Sequence, residues 1–130
     1  MRKHQLIARV VAVALAAGMR CATPGVLAAE QKDAAEPKNP FSGRAEIAEE
    51  GRGLLNQYCS HCHGPDAIQP ERVRDLRRLK RRYGDEALTT FYTTVNNGRM
   101  DKGMPIWKGV LPDDILWRIY TYLETVQVAK

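Results

Sequence analysis

Apolar residues recur at three- and four-residue spacings in two long stretches of the chain, which is typical of helices with one buried face. The first stretch predicts a helix that begins at Ser42 or Gly43 and ends near Tyr58. Its apolar face consists of Ile47, Gly51, Leu54, Leu55 and Tyr58. Because a glycine inside a helix costs about 1 kcal/mol relative to alanine, Gly51 indicates that another helix approaches closely at this point.

A last helix is predicted to begin at Pro112-Asp113-Asp114, since proline suits the first turn of a helix and acidic side chains complement its dipole there. Its apolar stripe consists of Ile115, Leu116, Ile119, Tyr122, Leu123 and Val126. We expect this helix to cross the first one, with Ile119 and Tyr122 packed over Gly51 and Leu55.

Two further helices are predicted between these, so the expected fold class is all-α. Residues 71–82 carry an apolar residue at every third position, namely Val73, Leu76 and Leu79. Gly84 ends this helix, and Asp85 can cap the next, which runs to about Val95 and is followed by a turn at residues 96–98. The apolar face of that next helix consists of Leu88, Phe91, Tyr92 and Val95.

The N-terminal part of the chain has the pattern of an export signal. Arg2 and Lys3 precede an apolar run from Leu6 to Ala17, which is too short for a convincing transmembrane helix. Small residues follow, and they offer cleavage after Ala28 or Ala29. We therefore predict a signal peptide at residues 1–29, a flexible arm at residues 30–43 and one domain at residues 44–130. An uncleaved membrane anchor is the alternative.

The formal net charge of +5 comes largely from the signal segment, which contains four basic residues and no acidic one. The remaining chain has sixteen basic and fifteen acidic residues, so overall charge gives no argument for nucleic-acid binding. Residues 71–82 are locally basic, with seven basic and two acidic side chains. This segment is either a solvated helix face or a docking patch for an acidic partner.

The pentapeptide Cys59-Ser60-His61-Cys62-His63 has the C-x-x-C-H spacing at which c-type haem is attached. Two thiols three residues apart lie about one helical turn apart, so each can form a thioether with a vinyl group at one edge of a porphyrin. His63 would then be the proximal ligand of the iron. We expect a backbone carbonyl near Pro70 to accept a hydrogen bond from its other ring nitrogen.

Two methionines in residues 99–107 are candidates for the second axial ligand of the iron. Met104 precedes Pro105, which restricts its backbone to extended conformations and stiffens the chain around the sulfur. Met100 lies in a more polar stretch of the same loop. Thioether sulfur is soft and suits haem iron, so we predict Met104 as the ligand and keep Met100 as its rival.

Three other interpretations of the motif remain open at this stage. A haem with only His63 as ligand would suit an enzyme or sensor, such as a small peroxidase. A zinc site would use Cys59, His61, Cys62 and His63, although ligands in so short a span cannot readily surround a tetrahedral ion. A Cys59–Cys62 disulfide or dithiol exchanger is the third.

The chain resembles the class I c-type cytochromes from about Ala45 to Val126. The resemblance rests on Gly51 and Leu55 before the motif, Cys59-x-x-Cys62-His63-Gly64, Met104-Pro105-x-Trp107, and the Ile119/Tyr122 helix. It implies a small cytochrome c fold whose terminal helices cross, one covalent haem c, and one-electron transfer rather than enzymatic catalysis. In bacteria such haem is attached outside the inner membrane, which agrees with the signal peptide and implies a periplasmic monomer.

A narrower similarity concerns the donor of the electrons. The stretch R-R-Y-G-D-E-A and the later stretch N-G-R-M-D-K-G-M-P-I-W-K-G-V-L-P-D-D resemble the periplasmic cytochromes that serve quinoprotein alcohol dehydrogenases. This resemblance implies a PQQ-dependent alcohol dehydrogenase as donor, and a terminal oxidase or another cytochrome as acceptor. The chain departs from that pattern at Pro112, where a hydroxyl side chain often caps the helix, and at Met100, where proline is common.

Overall fold

A computed structural model describes residues 36–128 of the protein, and over that range its regular structure is helical, with no β-strand. The α-helices are α1 (Ala45–Tyr58), α2 (Ser60–His63), α3 (Leu79–Tyr83), α4 (Ala87–Asn97) and α5 (Asp113–Thr125). Short 3-10 turns occur at Pro65–Ala67, Leu76–Arg78, Gly84–Glu86 and Met100–Lys102. The all-α prediction is therefore confirmed.

The predicted signal peptide at residues 1–29 and the first part of the predicted arm lie outside the described residues. From residue 36 onward, the chain that leads into α1 contacts α5. The Asn39 side-chain amide donates to Thr121 Oγ1 (3.0 Å), and the Arg118 guanidinium lies 5.1 Å from the centre of the Phe41 ring. Within residues 36–128, every helix is too short or too polar to cross a membrane.

The crossing of α1 and α5 forms the centre of the core. Leu55, Leu116, Ile119 and Leu123 are almost completely buried. Gly51 lies directly against the backbone of α5, because a Cβ atom placed there would overlap the carbonyl group of Arg118. The close approach predicted from Gly51 is therefore confirmed, and the helix begins at Ala45, slightly later than expected.

Residues 71–82 do not form the single helix that the apolar spacing predicted. Only Leu76–Arg78 and α3 are helical, and the Val73 side chain remains 65% exposed. The buried Asp75 carboxylate accepts hydrogen bonds from the backbone N–H of Arg77 (3.0 Å) and from its guanidinium. An acidic side chain that bonds the N–H two residues later competes with a continuous helix, so the helical part begins only after Asp75.

The helix α4 agrees with the predicted apolar face but not with the predicted cap. Phe91 is buried, and the core also packs against Leu88, Tyr92 and Val95. Asp85 lies inside the 3-10 turn Gly84–Glu86, and no side chain caps α4, so the prediction of an Asp85 cap was wrong. The preceding 3-10 turn takes the place of a separate N-cap residue.

The chain after the pentapeptide is fastened to α1 and α5 through Asp66. Arg52 donates Nε and one terminal N–H to the two carboxylate oxygens of Asp66 (2.8 and 3.0 Å). Asn56 both donates to this carboxylate and accepts from the Asp66 backbone N–H, and the Tyr122 hydroxyl donates to the Asp66 carbonyl (3.2 Å). The hydrogen bonds from Arg52 and Asn56 lower the pKa of Asp66 to about 2.

The two glycines of α1 provide a matched test of the helix crossing. We expect Gly51→Ala to lower the stability of the haem-loaded protein by about 1–3 kcal/mol, the usual effect of overpacking a core. Gly53→Ala should instead raise stability by up to about 1 kcal/mol, because that position is open and alanine favours helix. Urea unfolding measures both. Equal effects of the two substitutions would contradict the packing of Gly51 against Arg118.

The lowered pKa of Asp66 predicts a pH-dependent contribution to stability. Its carboxylate stabilises the folded protein above the ordinary Asp pKa of about 4, and this contribution should be lost as the pH falls toward 2. We expect Asp66→Asn to be less stable than the wild type at pH 7, and the difference to shrink as the pH falls from 4 toward 2. Asparagine also suits the positive φ of 56° at this position. Urea midpoints measured across this pH range test the prediction, and a constant difference between the two proteins would refute it.

Candidate haem site

The pentapeptide forms one helical turn at the end of α1. Cys59 follows the last residue of α1, and its carbonyl accepts hydrogen bonds from the N–H groups of Cys62 (3.2 Å) and His63 (3.0 Å). The Ser60 hydroxyl donates to the carbonyl of Asn56 (2.6 Å), which ties this turn to α1. Cys59 therefore precedes this turn and Cys62 lies within it, so the two thiols are about one helical turn apart, as the spacing predicted.

A glycine-dependent turn carries the chain away from the pentapeptide. Gly64 has a φ of +75°, and a Cβ atom there would overlap the carbonyl group of Ile68. Both its backbone conformation and its contact therefore favour glycine. Asp66 and Ala67 also have positive φ values of 56° and 62°, and the hydrogen bonds of Asp66 hold this sharp turn in place.

His63 is oriented by a backbone carbonyl further along the chain. Its Nδ1 lies 2.7 Å from the carbonyl oxygen of Arg74. Because a carbonyl can only accept, Nδ1 carries the proton, and Nε2 is then the nitrogen with a free lone pair. The predicted carbonyl near Pro70 is thus that of Arg74, four residues later.

The two thiols of the described residues, those of Cys59 and Cys62, are unpaired. Burial, together with the smaller effect of the neighbouring Cys62, raises the pKa of the Cys59 thiol to about 11. A dithiol that exchanges disulfides needs a thiol of lowered pKa. The raised pKa of Cys59 therefore argues against the dithiol-exchange interpretation.

The zinc interpretation of the motif finds no geometric support. Across residues 36–128, no three His, Cys, Asp or Glu side chains converge where they could hold a metal ion. His61 and Cys62 are exposed, and the His63 ring is directed by Arg74. A small tetrahedral site of the kind that zinc requires is therefore not assembled from Cys59, His61, Cys62 and His63.

The methionine loop, residues 98–112, connects α4 to α5 and contains a backbone pairing. Arg99 and Met104 exchange two hydrogen bonds, from Arg99 N–H to the Met104 carbonyl (2.8 Å) and from Met104 N–H to the Arg99 carbonyl (3.0 Å). Met104 is partly buried in this bridge. Met100, in the 3-10 turn between the paired residues, is 70% exposed. The two methionines thus differ in two respects: Met104 is paired through its backbone and partly buried, whereas Met100 is exposed.

The methionine loop is anchored to α4 and to the residue before the pentapeptide. The backbone N–H of Trp107 donates to the carbonyl of Val95 (3.1 Å). The Trp107 ring packs edge-on against the ring of Tyr58, with centroids 6.4 Å apart. At Gly98, whose φ is +67°, a Cβ atom would lie 2.8 Å from the backbone of Pro105. These contacts bring the methionine loop beside the end of α1.

The donor set of this region fits a c-type haem. Cys59 and Cys62 provide two free thiols on one helical turn, and the hydrogen bond to Arg74 leaves Nε2 of His63 available to a metal. Met104 provides a soft thioether sulfur in a loop fixed by hydrogen bonds. Thiols, imidazole and thioether are the groups by which proteins attach and ligate such a haem.

The structure also shows contributors to the site that the sequence did not reveal. The Arg74 carbonyl belongs to the backbone, so no side-chain pattern indicates it. Arg82 donates hydrogen bonds to the carbonyls of Val73 and Asp75, the residues on either side of Arg74. Asp75 lies between basic residues in this run, and that was the available sequence signal for its ion pair with Arg77.

Comparisons with known proteins agree with this donor set. Residues 46–123 match the family model described as cytochrome c oxidase, cbb3-type, subunit III. A protein named cytochrome c550 from Pseudomonas aeruginosa is 32% identical over 105 residues, which cover 78% of this chain and 71% of that protein. No solved structure matches the chain. The chain therefore belongs to the cytochrome c family that this subunit III domain represents, a family of electron-transfer proteins with covalently bound haem c.

Proposed function

We propose that the protein is an exported one-electron carrier that binds one haem c between His63 and Met104. Cys59 and Cys62 would form the two thioether bonds. The observation that carries this proposal is the paired backbone that holds Met104, because a methionine in an ordered loop would give the iron a sixth ligand in addition to His63. The hydrogen bond from His63 Nδ1 to Arg74 supports the assignment of the opposite ligand.

A haem with two protein ligands supplies reversible one-electron Fe(III)/Fe(II) chemistry without an open coordination position. His63 would hold its Nε2 toward the metal while Nδ1 keeps its proton on the Arg74 carbonyl. The Met104 sulfur, once bound, would leave no coordination position for water or small molecules. This arrangement favours an electron carrier over the five-coordinate enzyme or sensor that the motif alone allows.

The N-terminal pattern supports a periplasmic location. Residues 1–29 combine a basic start, an apolar run and small residues at the cleavage position. Covalent attachment of haem outside the inner membrane would follow export. The mature protein would then begin with the arm at residues 30–43 and contain the single domain at residues 44–130.

We infer that the electron donor is a PQQ-dependent alcohol dehydrogenase and that an oxidase or another cytochrome accepts the electron. The sequence similarity that supports this donor includes residues 98–114, which form the methionine loop and the start of α5. These residues include the proposed sixth ligand, Met104.

Replacing each methionine of the loop separately tests the ligand assignment. We expect Met104→Ala to lose the methionine–iron absorption band and to lower the reduction potential, because methionine opposite histidine raises it. The decrease should be on the order of 100 mV, since axial ligands set haem potentials over a range of about 0.8 V. Met100→Ala should retain the band and the potential.

Carbon monoxide binding to the reduced proteins separates the carrier from the five-coordinate alternative. The wild type and Met100→Ala should bind it poorly, whereas Met104→Ala should bind it readily. Rapid binding by the wild type would favour the enzyme or sensor. Loss of the absorption band in Met100→Ala instead of Met104→Ala would show that Met100 is the ligand.

The donor is tested by mixing the oxidised protein with a purified PQQ-dependent alcohol dehydrogenase. We expect the absorption of reduced haem to increase when alcohol is added and to stay constant in its absence. A preparation of the dehydrogenase without PQQ is the matched control. If the rate of reduction is the same with and without alcohol, the proposed donor is incorrect, while the ligand assignment is unaffected.

A further inference from the structure

The residue that orients His63 lies in a segment without helix or strand structure. Residues 71–75 form a turn in which the Arg74 N–H donates to the Glu71 carbonyl (2.9 Å). Carbonyls in such a segment have no regular partner from a helix or sheet, so their direction depends on other donors. The direction of the Arg74 carbonyl is important because it accepts the hydrogen bond from His63 Nδ1 at 2.7 Å.

One side chain binds the carbonyls on both sides of Arg74. The Arg82 guanidinium, on α3, donates one terminal nitrogen to the Val73 carbonyl and the other to the Asp75 carbonyl, each at 2.8 Å. Its Nε also donates to the carbonyl of Arg78 at 3.3 Å. Arg82 therefore connects the turn that carries Arg74 to the following helix.

We propose that Arg82 is a positioning residue that fixes the Arg74 carbonyl against His63 and so tunes the reduction potential of the haem. This inference rests on the proposed role of His63 as an axial ligand. A hydrogen bond from the second ring nitrogen makes the imidazole a more basic ligand. A more basic ligand stabilises oxidised iron, so a firmly held Arg74 carbonyl lowers the potential.

The chemistry of the contact requires arginine. The planar guanidinium presents its donors in a fixed fork, which can bind two separated carbonyls at the same time. The ammonium group of lysine is a single compact charge and would not bind the Val73 and Asp75 carbonyls in this geometry. Replacing Arg82 by lysine therefore preserves the charge near the haem and removes the fork.

The neighbouring residue Arg81 supplies the matched control. It lies on the same short helix, is exposed, and makes no side-chain hydrogen bond or ion pair with the described residues. Arg81→Lys and Arg82→Lys make the same chemical change at adjacent positions. Only the second removes a contact to the segment that carries Arg74.

The experiment compares these two variants with the wild type as haem-loaded proteins. Reduction potentials are measured by spectroscopic titration, and the His63 Nδ1–H is followed by NMR of the oxidised protein labelled with ¹⁵N-histidine. We expect Arg82→Lys to shift the potential upward. Its Nδ1–H should exchange with solvent roughly three- to tenfold faster, the range that corresponds to the net free energy of one hydrogen bond. Arg81→Lys should match the wild type.

The two measurements separate failure of this proposal from failure of the proposed function. If the His63 Nδ1–H of the wild type shows no shift from the iron, His63 is not a ligand, and the proposed function fails. If that shift is present but Arg82→Lys leaves both the exchange rate and the potential at the wild-type values, the positioning role of Arg82 is overturned. A general loss of stability would appear in urea unfolding and would not by itself raise the potential.

A second pair of variants covers the case in which Arg82→Lys does not accumulate with haem. Arg82→Gln retains a planar amide that can donate to one of the two carbonyls, and Arg81→Gln removes the same charge from the adjacent position. We expect the potential of Arg82→Gln to be higher than that of Arg81→Gln. Equal potentials and equal exchange rates in this pair would also overturn the proposal.

Discussion

The contact between the backbones of α1 and α5 at Gly51 fixes the position of the helix from which the pentapeptide follows. α1 can pack against the Arg118 carbonyl only because Gly51 has no side chain. Cys59 follows the end of α1 directly, so the position of the helix crossing fixes the position of the pentapeptide. Burial of Leu55 against Ile119 and Leu123 then stabilises this arrangement, since burying a leucine side chain contributes about 1.5–3 kcal/mol.

The candidate site residues are placed by two kinds of structure, a regular helix and irregular segments. Cys59 and Cys62 depend on a regular helix, whereas His63 depends on a backbone carbonyl in an irregular turn and Met104 depends on a short backbone bridge. Irregular segments at a site must obtain their hydrogen bonds individually. Asp66, Asp75 and their arginine partners supply such hydrogen bonds. They therefore lie near the site although they are not themselves candidate ligands.

The amphipathic patterns of α1, α4 and α5 were sufficient to predict these helices and their buried faces, because each helix buries one continuous stripe. The pentapeptide was recognisable because its spacing and side-chain chemistry are specific, whereas Met104 as the second ligand stays a prediction. The prediction failed at residues 71–82, where three apolar residues at helical spacing suggested a helix. There the hydrogen bond that the Arg77 N–H donates to the Asp75 carboxylate displaced the helix start. Competition of this kind by a side chain does not appear in the spacing of apolar residues. The Arg74 carbonyl could not be predicted either, since any residue supplies the same acceptor.

The Arg99–Met104 bridge also limits how the length of this chain can vary. Its two hydrogen bonds close a ring of six residues, in which Met104 takes part through both its N–H and its carbonyl. The intervening residues 100–103 form a 3-10 turn that ends at Gly103 with a φ of +75°, and this turn brings Arg99 and Met104 face to face. Lengthening residues 99–104 by one would therefore disrupt the turn that holds the Met104 backbone, even if every original side chain were kept. Homologous chains that use this sulfur should tolerate insertions in the exposed turn at residues 108–110 more readily than inside the ring.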